Sequence, residues 1–364
     1  MLSFVLMNDD ALMRIVRVSP LVRSSMRISA TVGAVLPRIF PMRTLLRLAA
    51  LVALLSCRLW AETAAPPVPK SMAYVLQASG LAADRAAVVR RLAECGRDWV
   101  VLDAVYSTDD GPWTPEEIQA IRAGKPGRRV MAYVSIGEAE DYRPYWRRAW
   151  DADGDGEPDA MAPAFLHSEN PDWKGNYRVC YWHEEWQKIL LPTVDQVVTQ
   201  GFDGIYLDIV DAFEFFEYDP ATRNWRDNLV NPETGNSYRR DMIHWVGTVA
   251  KRARDRKPGF LVIPQNAAQL LEHPEYLGMI SAIGVEDLWV EGARLRKESE
   301  FHHTLGFLNR LKKAGKPVLV IDYPATPQIH AAAFAVSARH GFIHLLTDRD
   351  LKTLGVASGR ESLE

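Results

Sequence analysis

Short apolar runs alternate with amphipathic stretches from residue 71 onward. Several runs are apolar at every position, which is typical of strands buried on both faces. The stretches between them have a helical period, and this alternation indicates repeated strand–helix units. Strands are predicted at residues 73–77, 99–103, 130–135, 204–208, 260–263, 282–286, 318–322 and 342–346. The clearest helices are predicted at 83–94, 116–123, 183–200, 238–256, 301–314 and 329–340.

Two inserts interrupt this spacing, at about residues 141–181 after the third strand and about 215–237 after the fourth. Eight strand–helix units predict an α/β fold, a (β/α)8 TIM barrel, which commonly takes about 250 residues as one domain. We therefore expect one barrel domain at residues 71–350 and a C-terminal tail at 351–364. Such inserts lie on the face where barrel active sites are built.

The first 61 residues have the pattern of a leader. A basic segment at 42–47 precedes an apolar segment at 48–56, which is too short to span a membrane, and small residues and prolines follow. We expect a signal segment at 1–61 with Met42 as the true start, and a Pro-rich linker at 62–70. An unusually long leader is the alternative.

Two processing routes are open for this leader. Cleavage before Cys57 would create a lipid anchor, whereas cleavage near residues 61–65 would release a soluble protein. Either route predicts a secreted or periplasmic location without a membrane span. Cys95 and Cys180 remain beyond the leader, and we interpret them as buried free thiols.

Charge is distributed unevenly along the chain. Residues 1–61 hold eight arginines, no lysine and two aspartates. Without that surplus of six positive charges, a whole-chain balance of −3 becomes −9 for the remainder. An acidic surface disfavours nucleic acid as a partner and suits a neutral or cationic ligand. The oligomeric state stays open.

Polar side chains mark most of the predicted strand ends. Function in a (β/α) barrel collects at the carboxyl ends of the strands, so these side chains are candidate site residues. Any one acid there could instead cap a helix or pair with a cation at the rim. The polar residues at these ends are Gln77, Asp103, Ser135 with Glu138, Asp208 with Asp211, Gln265 with Asn266, Glu286 with Asp287, and Asp322.

An acidic cluster of this kind can hydrolyse a glycosidic bond. The reaction needs one carboxylate as nucleophile or base and one carboxylic acid that protonates the leaving oxygen. The acid needs a raised pKa while its partner stays ionised. The available carboxyl groups are those of Asp103, Glu138, Asp208, Asp211 and Glu286. Sequence does not give their separation, so retention and inversion of configuration both stay open.

Five stretches resemble motifs of glycoside hydrolase family 114, whose members are often described as endo-α-1,4-polygalactosaminidases. They are VMAYVSIGEAEDYRPYW, NPDWKGNYRVCYWHEEW, GFDGIYLDIVDAFE, IPQNAAQLL and GVEDLWV, and the resemblance covers about residues 72–346. It implies a barrel with an Asp nucleophile on the fourth strand and a Glu acid/base on a later strand. The matching residues are Asp208 and Glu286.

Other residues of these motifs and of the strand ends are expected to have lesser roles. Asp203 matches the first Asp of the GFDGIYLDIVD motif, and we expect it to support the bottom of the barrel. Gln265 and Asn266 stand where the fungal relatives have a Lys-Asn pair, and this difference bears on the substrate. The residues expected to bind substrate are Asp103, Glu138, Asp211, Gln265, Asn266 and Tyr323, although Asp211 could instead cap the following segment.

Two features of the first insert suggest further binding. Asp151, Asp153 and Asp155 follow the spacing of a calcium loop, but Ala162 stands at the twelfth position where such a loop has Glu. They suggest a structural calcium, with a solvated acidic turn as the alternative, and no cofactor is required for catalysis. Two or three aromatic residues are expected to line a sugar subsite. The aromatic candidates are Tyr142, Tyr145, Trp146, Trp150, Trp173, Tyr177, Tyr181 and Trp182.

Three functions are compatible with these patterns. The first is an exported endo-acting glycoside hydrolase that cleaves a polysaccharide, with a polymer of α-1,4-linked galactosamine as the substrate that the resemblance suggests. The second is a barrel that binds polysaccharide without cleaving it. The third is a barrel enzyme of another chemistry, such as a metal-dependent deacetylase or lyase. The sequence has no His-rich metal set, which disfavours the third.

Overall fold

The computed structural model describes residues 68–357, and all eight predicted strands are present there. The predictions for the leader, including Met42 and Cys57, lie outside the described residues, as does the end of the tail. The strands are β1 (Met72–Val75), β2 (Trp99–Asp103), β3 (Arg129–Ser135), β4 (Gly204–Asp208), β5 (Leu261–Pro264), β6 (Ile283–Glu286), β7 (Val318–Asp322) and β8 (Ile343–Leu346).

The strands form an α/β barrel of the TIM type. Parallel ladders join β1 through β5 in chain order and β6 through β8 in chain order. A parallel bridge between Gln265 and Gly284 connects the end of β5 to β6. Within the described residues no ladder joins β8 to β1, but Tyr74 of β1 and Leu345 of β8 pack in one interior cluster.

Eight helices are described, and the six predicted ones are among them with small shifts at their ends. Asp84, Thr114 and Ser237 cap three of them by accepting a hydrogen bond from a backbone amide of the first turn. The helices are α1 (Arg85–Glu94), α2 (Pro115–Ala123), α3 (Glu184–Thr199), α4 (Phe213–Glu217), α5 (Tyr238–Arg256), α6 (Pro274–Met279), α7 (Glu298–Lys313) and α8 (His330–His340).

Shorter elements complete the connections. A three-stranded antiparallel sheet of Glu138–Glu140, Leu166–Asn170 and Trp173–Val179 is associated with the first insert. The second insert contains α4 and a hairpin that pairs Tyr218–Asp219 with Asn224–Trp225. Short helical turns are Ala78–Leu81, Arg148–Trp150, Val210–Ala212, Ala268–Glu272 and Pro327–Ile329. Remaining short strands are Val105–Ser107 with Gly111–Pro112, Val290–Glu291 with Arg294–Leu295, and Val356–Ala357 beside β8.

The period of two along each strand decides which polar residues face the interior. On β2, Trp99 and Val101 point inward, so Asp103 follows them on the same face. The same alternation directs Ser135, Asp208, Gln265, Glu286 and Tyr323 toward the interior. Asp322 has the opposite parity: it is fully buried behind β7, accepts hydrogen bonds from the amides of Trp289 and Val290, and contacts His344. Its strand-end position therefore does not make it a site residue.

The opposite end of the barrel is stabilised by a buried carboxylate. Asp203 accepts hydrogen bonds from Arg122 Nε at 2.9 Å and from the Val130 amide at 3.0 Å. Arg129 and Lys257 each lie 3.6 Å from its carboxylate. The predicted supporting role of Asp203 is confirmed.

Two further expectations concern membrane span and thiols. No helix within residues 68–357 is long and apolar enough to cross a membrane. Cys95 and Cys180 are both free, with Cys180 buried and Cys95 partly exposed. The predicted free thiols are therefore present, although only Cys180 is fully buried.

Candidate active site

Asp208 and Glu286 face each other at the mouth of the barrel, across one amide group. Gln265 Nε2 lies 3.0 Å from Asp208 Oδ1 and 2.8 Å from Glu286 Oε2. The two carboxylate oxygens therefore lie no farther apart than the sum of those distances. Gln265 is buried at the end of β5, between the strands that carry the two acids.

Each carboxyl group also has its own hydrogen-bond donors. Tyr133 donates its hydroxyl to Asp208 Oδ2 at 2.6 Å, and the Ile209 amide donates to Oδ1 at 2.8 Å. Tyr323 donates its hydroxyl to Glu286. These donors favour the ionised forms, whereas burial favours the protonated forms.

Burial prevails at both acids, so each pKa is raised. The pKa of Glu286 rises to about 8, because of burial and because of the negative charge on Asp208. Burial also raises the pKa of Asp208. Since like charges this close cannot both ionise freely, Glu286, whose pKa is about 8, is the group of the pair with the clear reason to hold a proton at neutral pH.

The backbone beside the acids has an uncommon conformation. Ile209, Asn266, Ala267 and Asp287 all have φ between 50° and 57°. L-residues rarely occupy this left-handed region, and a β-branched residue such as Ile209 is a genuine outlier there. Strained backbone of this kind concentrates at functional sites. Here it follows the ends of β4, β5 and β6.

Asn266 links Glu286 to Asp211 through hydrogen bonds. Its Oδ1 accepts from the Glu286 amide at 3.1 Å, and its side chain also hydrogen-bonds Asp211. Burial, Asp208 and Glu214 raise the pKa of Asp211 to about 7. The segment that begins α4 is preceded by Ala212 without a side-chain cap, so the alternative role of Asp211 as a helix cap is wrong.

Glu138 lies beside Asp208 and is almost fully buried. Asn170 donates to one of its carboxylate oxygens at 2.8 Å and Asn176 to the other at 3.4 Å. Burial raises its pKa despite those two donors, and the charge on Asp208 adds to the increase.

Asp103 is paired with a cation that the sequence analysis missed. Arg143 donates to both carboxylate oxygens of Asp103, at 2.8 and 2.7 Å, and to buried Glu140 at 2.7 Å. The two carboxylates and the dense hydrogen bonding raise the already high pKa of Arg143. Asp103 thus has a protein partner for both oxygens. The sequence signal was Arg143 within the GEAEDYRPYW stretch, where only the acids drew attention.

A cavity of about 700 Å³ opens beside Glu286. It lies between the second insert, the segments after β4, β5 and β6, and the first turns of α7. Eight carboxyl groups and two arginines line it. The carboxyl groups belong to Asp211, Glu214, Glu217, Asp227, Glu272, Glu286, Asp287 and Glu300.

The aromatic residues of the first insert do not line this cavity. Trp146, Trp150 and Tyr177 pack against one another, with ring centroids 4.5 to 5.1 Å apart in the two closest pairs. The expectation that two or three of these aromatics line a subsite is not met at this cavity: Trp146, Trp150 and Tyr177 pack within the insert, and Tyr142 and Trp173 are exposed away from the cavity. Trp225 of the second insert lines it instead.

The predicted calcium loop differs in its ligand set. Carboxylate oxygens of Asp151, Asp153 and Asp159 lie within 4.8 Å of one another, and Asp155 is outside this group. Asp151 already accepts from Tyr177 at 2.5 Å and from the Gly154 and Gly156 amides at 2.8 and 3.0 Å. A structural calcium remains a prediction, with Asp159 in place of Asp155.

A second group could also hold a metal. Cys180, His183 and Glu233 bring their ligand atoms within 4.8 Å of one another. His183 Nε2 lies 2.7 Å from Glu233, and burial raises the pKa of the Cys180 thiol to about 12. The His–Glu contact already satisfies both groups, and burial disfavours the thiolate that a metal would need.

Two carboxyl groups bridged by one amide at the mouth of a (β/α) barrel define a glycoside hydrolase, and comparison with known proteins agrees with that class. The chain belongs to glycoside hydrolase family GH114, whose family model matches residues 62–362.

Several relatives and solved structures resemble the chain. An uncharacterised protein of Deinococcus radiodurans is 36% identical over 70% of this chain and 74% of its own length. The uncharacterised protein MJ1477 of Methanocaldococcus jannaschii is 37% identical over 62% of this chain and 60% of its own length.

The solved structures share the fold at lower identity. The glycoside hydrolase domain of PelA from Pseudomonas aeruginosa has a TM-score of 0.54 and 22% identity, covering 79% of this chain and 98% of that one. Aspergillus fumigatus Ega3, in a complex with galactosamine, has a TM-score of 0.55 and 17% identity, covering 81% and 97%.

Proposed function

We propose that this glycoside hydrolase is an exported endo-acting enzyme that cleaves a polysaccharide by a retaining mechanism. Asp208 is the nucleophile and Glu286 the acid/base. The observation that carries this proposal is the Gln265 amide that bridges the two carboxylates.

The bridge supports retention of configuration. Retaining enzymes have carboxyl groups about 5–5.5 Å apart, whereas inverting enzymes need about 6.5–9.5 Å to admit a water molecule. Two oxygens that lie 3.0 and 2.8 Å from one nitrogen fit the shorter class.

Two steps follow from this geometry. Asp208 attacks the anomeric carbon while Glu286 gives its proton to the leaving glycosidic oxygen, which forms a covalent glycosyl–enzyme. Glu286, now ionised, then takes a proton from water, and the resulting hydroxide displaces Asp208. The raised pKa of Glu286 supplies the acid at neutral pH, and three donors to Asp208 favour its ionised form.

The acidic cavity supports a cationic polymer as substrate. Arg239 pairs with Glu217 and Asp227, and Glu286 holds a proton, but the remaining carboxyl groups still outnumber the arginines that line the cavity. That excess attracts ammonium groups, such as those of galactosamine units that lack the N-acetyl group. Galactosamine in the Ega3 complex agrees with that chemistry. Residues Asp103, Glu138, Asp211, Gln265, Asn266 and Tyr323 are proposed to orient the sugar, with Asp103 acting through Arg143.

Export is supported by the leader pattern at residues 1–61. A Cys57→Ser variant separates the two processing routes, because only a lipid-anchored protein would move from the membrane fraction to the soluble fraction. An unchanged distribution would favour cleavage near residues 61–65.

The proposal is tested with α-1,4-linked galactosamine polymer and its acetylated form. The unmodified protein should release oligosaccharides, and NMR of the first products should show the substrate's anomeric configuration. Glu286→Gln should lower kcat by about 10²–10⁴-fold, and Asp208→Asn should abolish turnover. Exposed Glu184→Gln on α3 is the matched control. Release of oligosaccharides by both variants would refute the catalytic roles assigned to Asp208 and Glu286. Polymer binding without cleavage by any form would favour the binding-protein alternative.

A further inference from the structure

One aromatic residue of the second insert is exposed in a place where it can meet substrate. Trp225 has 65% of its surface exposed and lines the same cavity as Glu286. A large apolar ring left in water loses the stabilisation that burial would give it. An exposed tryptophan at the edge of a ligand cavity therefore indicates a binding surface.

The hairpin presents a second ring beside it. Tyr218 is paired with Trp225 across the two strands, and their ring centroids lie 4.9 Å apart. Tyr218 is also exposed, at 37% of its surface. The two side chains form a continuous aromatic edge.

The base of this hairpin is held by a buried ion pair. Glu217, 1% exposed, accepts from Arg239 Nε at 3.0 Å and Nη2 at 2.8 Å. Its carboxylate also accepts from the Asn228 amide at 2.7 Å, and its backbone oxygen accepts from the Arg226 amide at 2.9 Å. Arg239 further donates to Asp227 at 2.6 Å. The ring of Trp225 is thus carried on fixed backbone, which lowers the entropy cost of binding.

We propose that Trp225 is the stacking platform of a subsite for a pyranose unit of the polymer, away from the bond that is cleaved. The flat face of an indole suits the C–H face of a sugar ring and also attracts an ammonium group. The acidic lining of the cavity supplies the charge that selects a cationic unit. This inference rests on the proposed function and adds a determinant of chain-length preference.

The subsite is tested by comparing Trp225→Ala and Trp225→Phe with Trp173→Ala. Trp173 is the matched control, because it is 54% exposed in the first insert and does not line the cavity. With long galactosamine polymer, Trp225→Ala should raise KM about tenfold with kcat within about twofold, and Trp225→Phe should restore most of the loss. The effect should shrink with the shortest oligosaccharide that is cleaved.

Binding separates this inference from the proposed catalysis. In Asp208→Asn protein, adding Trp225→Ala should weaken polymer binding by a similar factor, and polymer should quench tryptophan fluorescence less. Loss of binding in that background supports the subsite even if no cleavage is ever detected. Trp225→Ala kinetics and binding equal to those of Trp173→Ala would overturn the subsite. Absence of both binding and cleavage by the unmodified protein would overturn the subsite and the proposed function together.

Discussion

The surroundings of Glu286 have opposing effects on its pKa. Burial and Asp208 raise its pKa to about 8, while the Tyr323 hydroxyl lowers it by stabilising the ionised form. Gln265 stands between the acids as a neutral donor, so no formal positive charge sits between them to favour two carboxylates. The environment of Glu286 therefore retains the proton that the proposed mechanism gives to the leaving group.

Replacement of Tyr323 by Phe should shift the pH profile. Loss of the hydroxyl donor raises the pKa of Glu286 further, so the alkaline limb of kcat/KM should move from about pH 8 to higher pH. The measurement is kcat/KM between pH 5 and 10 for both proteins. A limb that stays in place or moves to lower pH would contradict the role assigned to this hydroxyl.

Replacement of Gln265 by Lys should have the opposite effect. A cation between the two carboxylates favours their ionised forms, so the alkaline limb should move to lower pH and activity at neutral pH should fall. The same pH series measures it. Gln265→Met, which removes the bridge without adding charge, is the control that separates charge from loss of hydrogen bonds.

The raised pKa also has a cost in stability with a defined sign. Folding raises the pKa of Glu286 from its ordinary acidic range to about 8. At a pH between these two values, the folded state therefore binds more protons than the unfolded state. The stability that protonated Glu286 contributes is present at acidic pH and is lost as the pH rises toward 8, where the buried group must ionise. Glu286→Gln should therefore raise Tm relative to the unmodified protein, and more so at pH 8 than at pH 5. Equal differences at both pH values in thermal scans would contradict the shift.

At the scale of elements, the close packing of β4 against β6 depends on one glycine. A Cβ on Gly284 would lie 1.7 Å from the Tyr206 hydroxyl oxygen, which is buried without a hydrogen-bond partner among the described residues. Glycine therefore admits the tyrosine ring beneath the site. Glu286 lies two positions farther along the same face of β6, so this packing also fixes the position of the Glu286 side chain along the barrel axis.

A pair of glycine substitutions tests this packing. Gly284→Ala should lower stability by about 1–3 kcal/mol or more through overpacking, and should lower kcat by displacing Glu286. Gly306→Ala, at an exposed position of α7 with no atom near the added Cβ, should raise stability by about 0.5–1 kcal/mol. Thermal denaturation of both variants is the measurement. Similar effects of the two substitutions would contradict the close fit at Gly284.

At the scale of the whole molecule, charge should affect substrate capture. The remainder of the chain beyond the leader has a formal charge of −9, and carboxyl groups outnumber arginines in the lining of the cavity beside Glu286. Attraction between such a surface and a cationic polymer acts over about 10 Å at 0.1 M salt and about 3 Å at 1 M. This attraction would collect the cationic polymer proposed as substrate before stacking and hydrogen bonds fix it.

Salt should therefore weaken capture more than catalysis. KM for unacetylated galactosamine polymer should rise steeply between 0.05 and 0.5 M NaCl, whereas kcat should change little. The acetylated polymer, which lacks ammonium groups, is the control and should show a flat response wherever it is cleaved. A flat response for the unacetylated polymer would contradict electrostatic capture.

The sequence by itself determined the eight strands and their order, because a strand buried on both faces needs an uninterrupted apolar run. It also placed Asp208, Gln265 and Glu286 at strand ends, since alternation along a strand follows directly from sequence. The short helices α4 and α6 escaped prediction, because five and six residues carry too little of a helical period.

Tertiary structure alone decided which strand ends meet and what each acid touches. Asp322 is one position out of phase and faces away from the interior, and Asp103 is paired with Arg143 from the segment after β3. Trp225 reaches the cavity because of an ion pair between Glu217 and Arg239, 22 residues apart in sequence. Contacts between distant segments depend on how the barrel closes, and local apolar pattern carries no information about that closure.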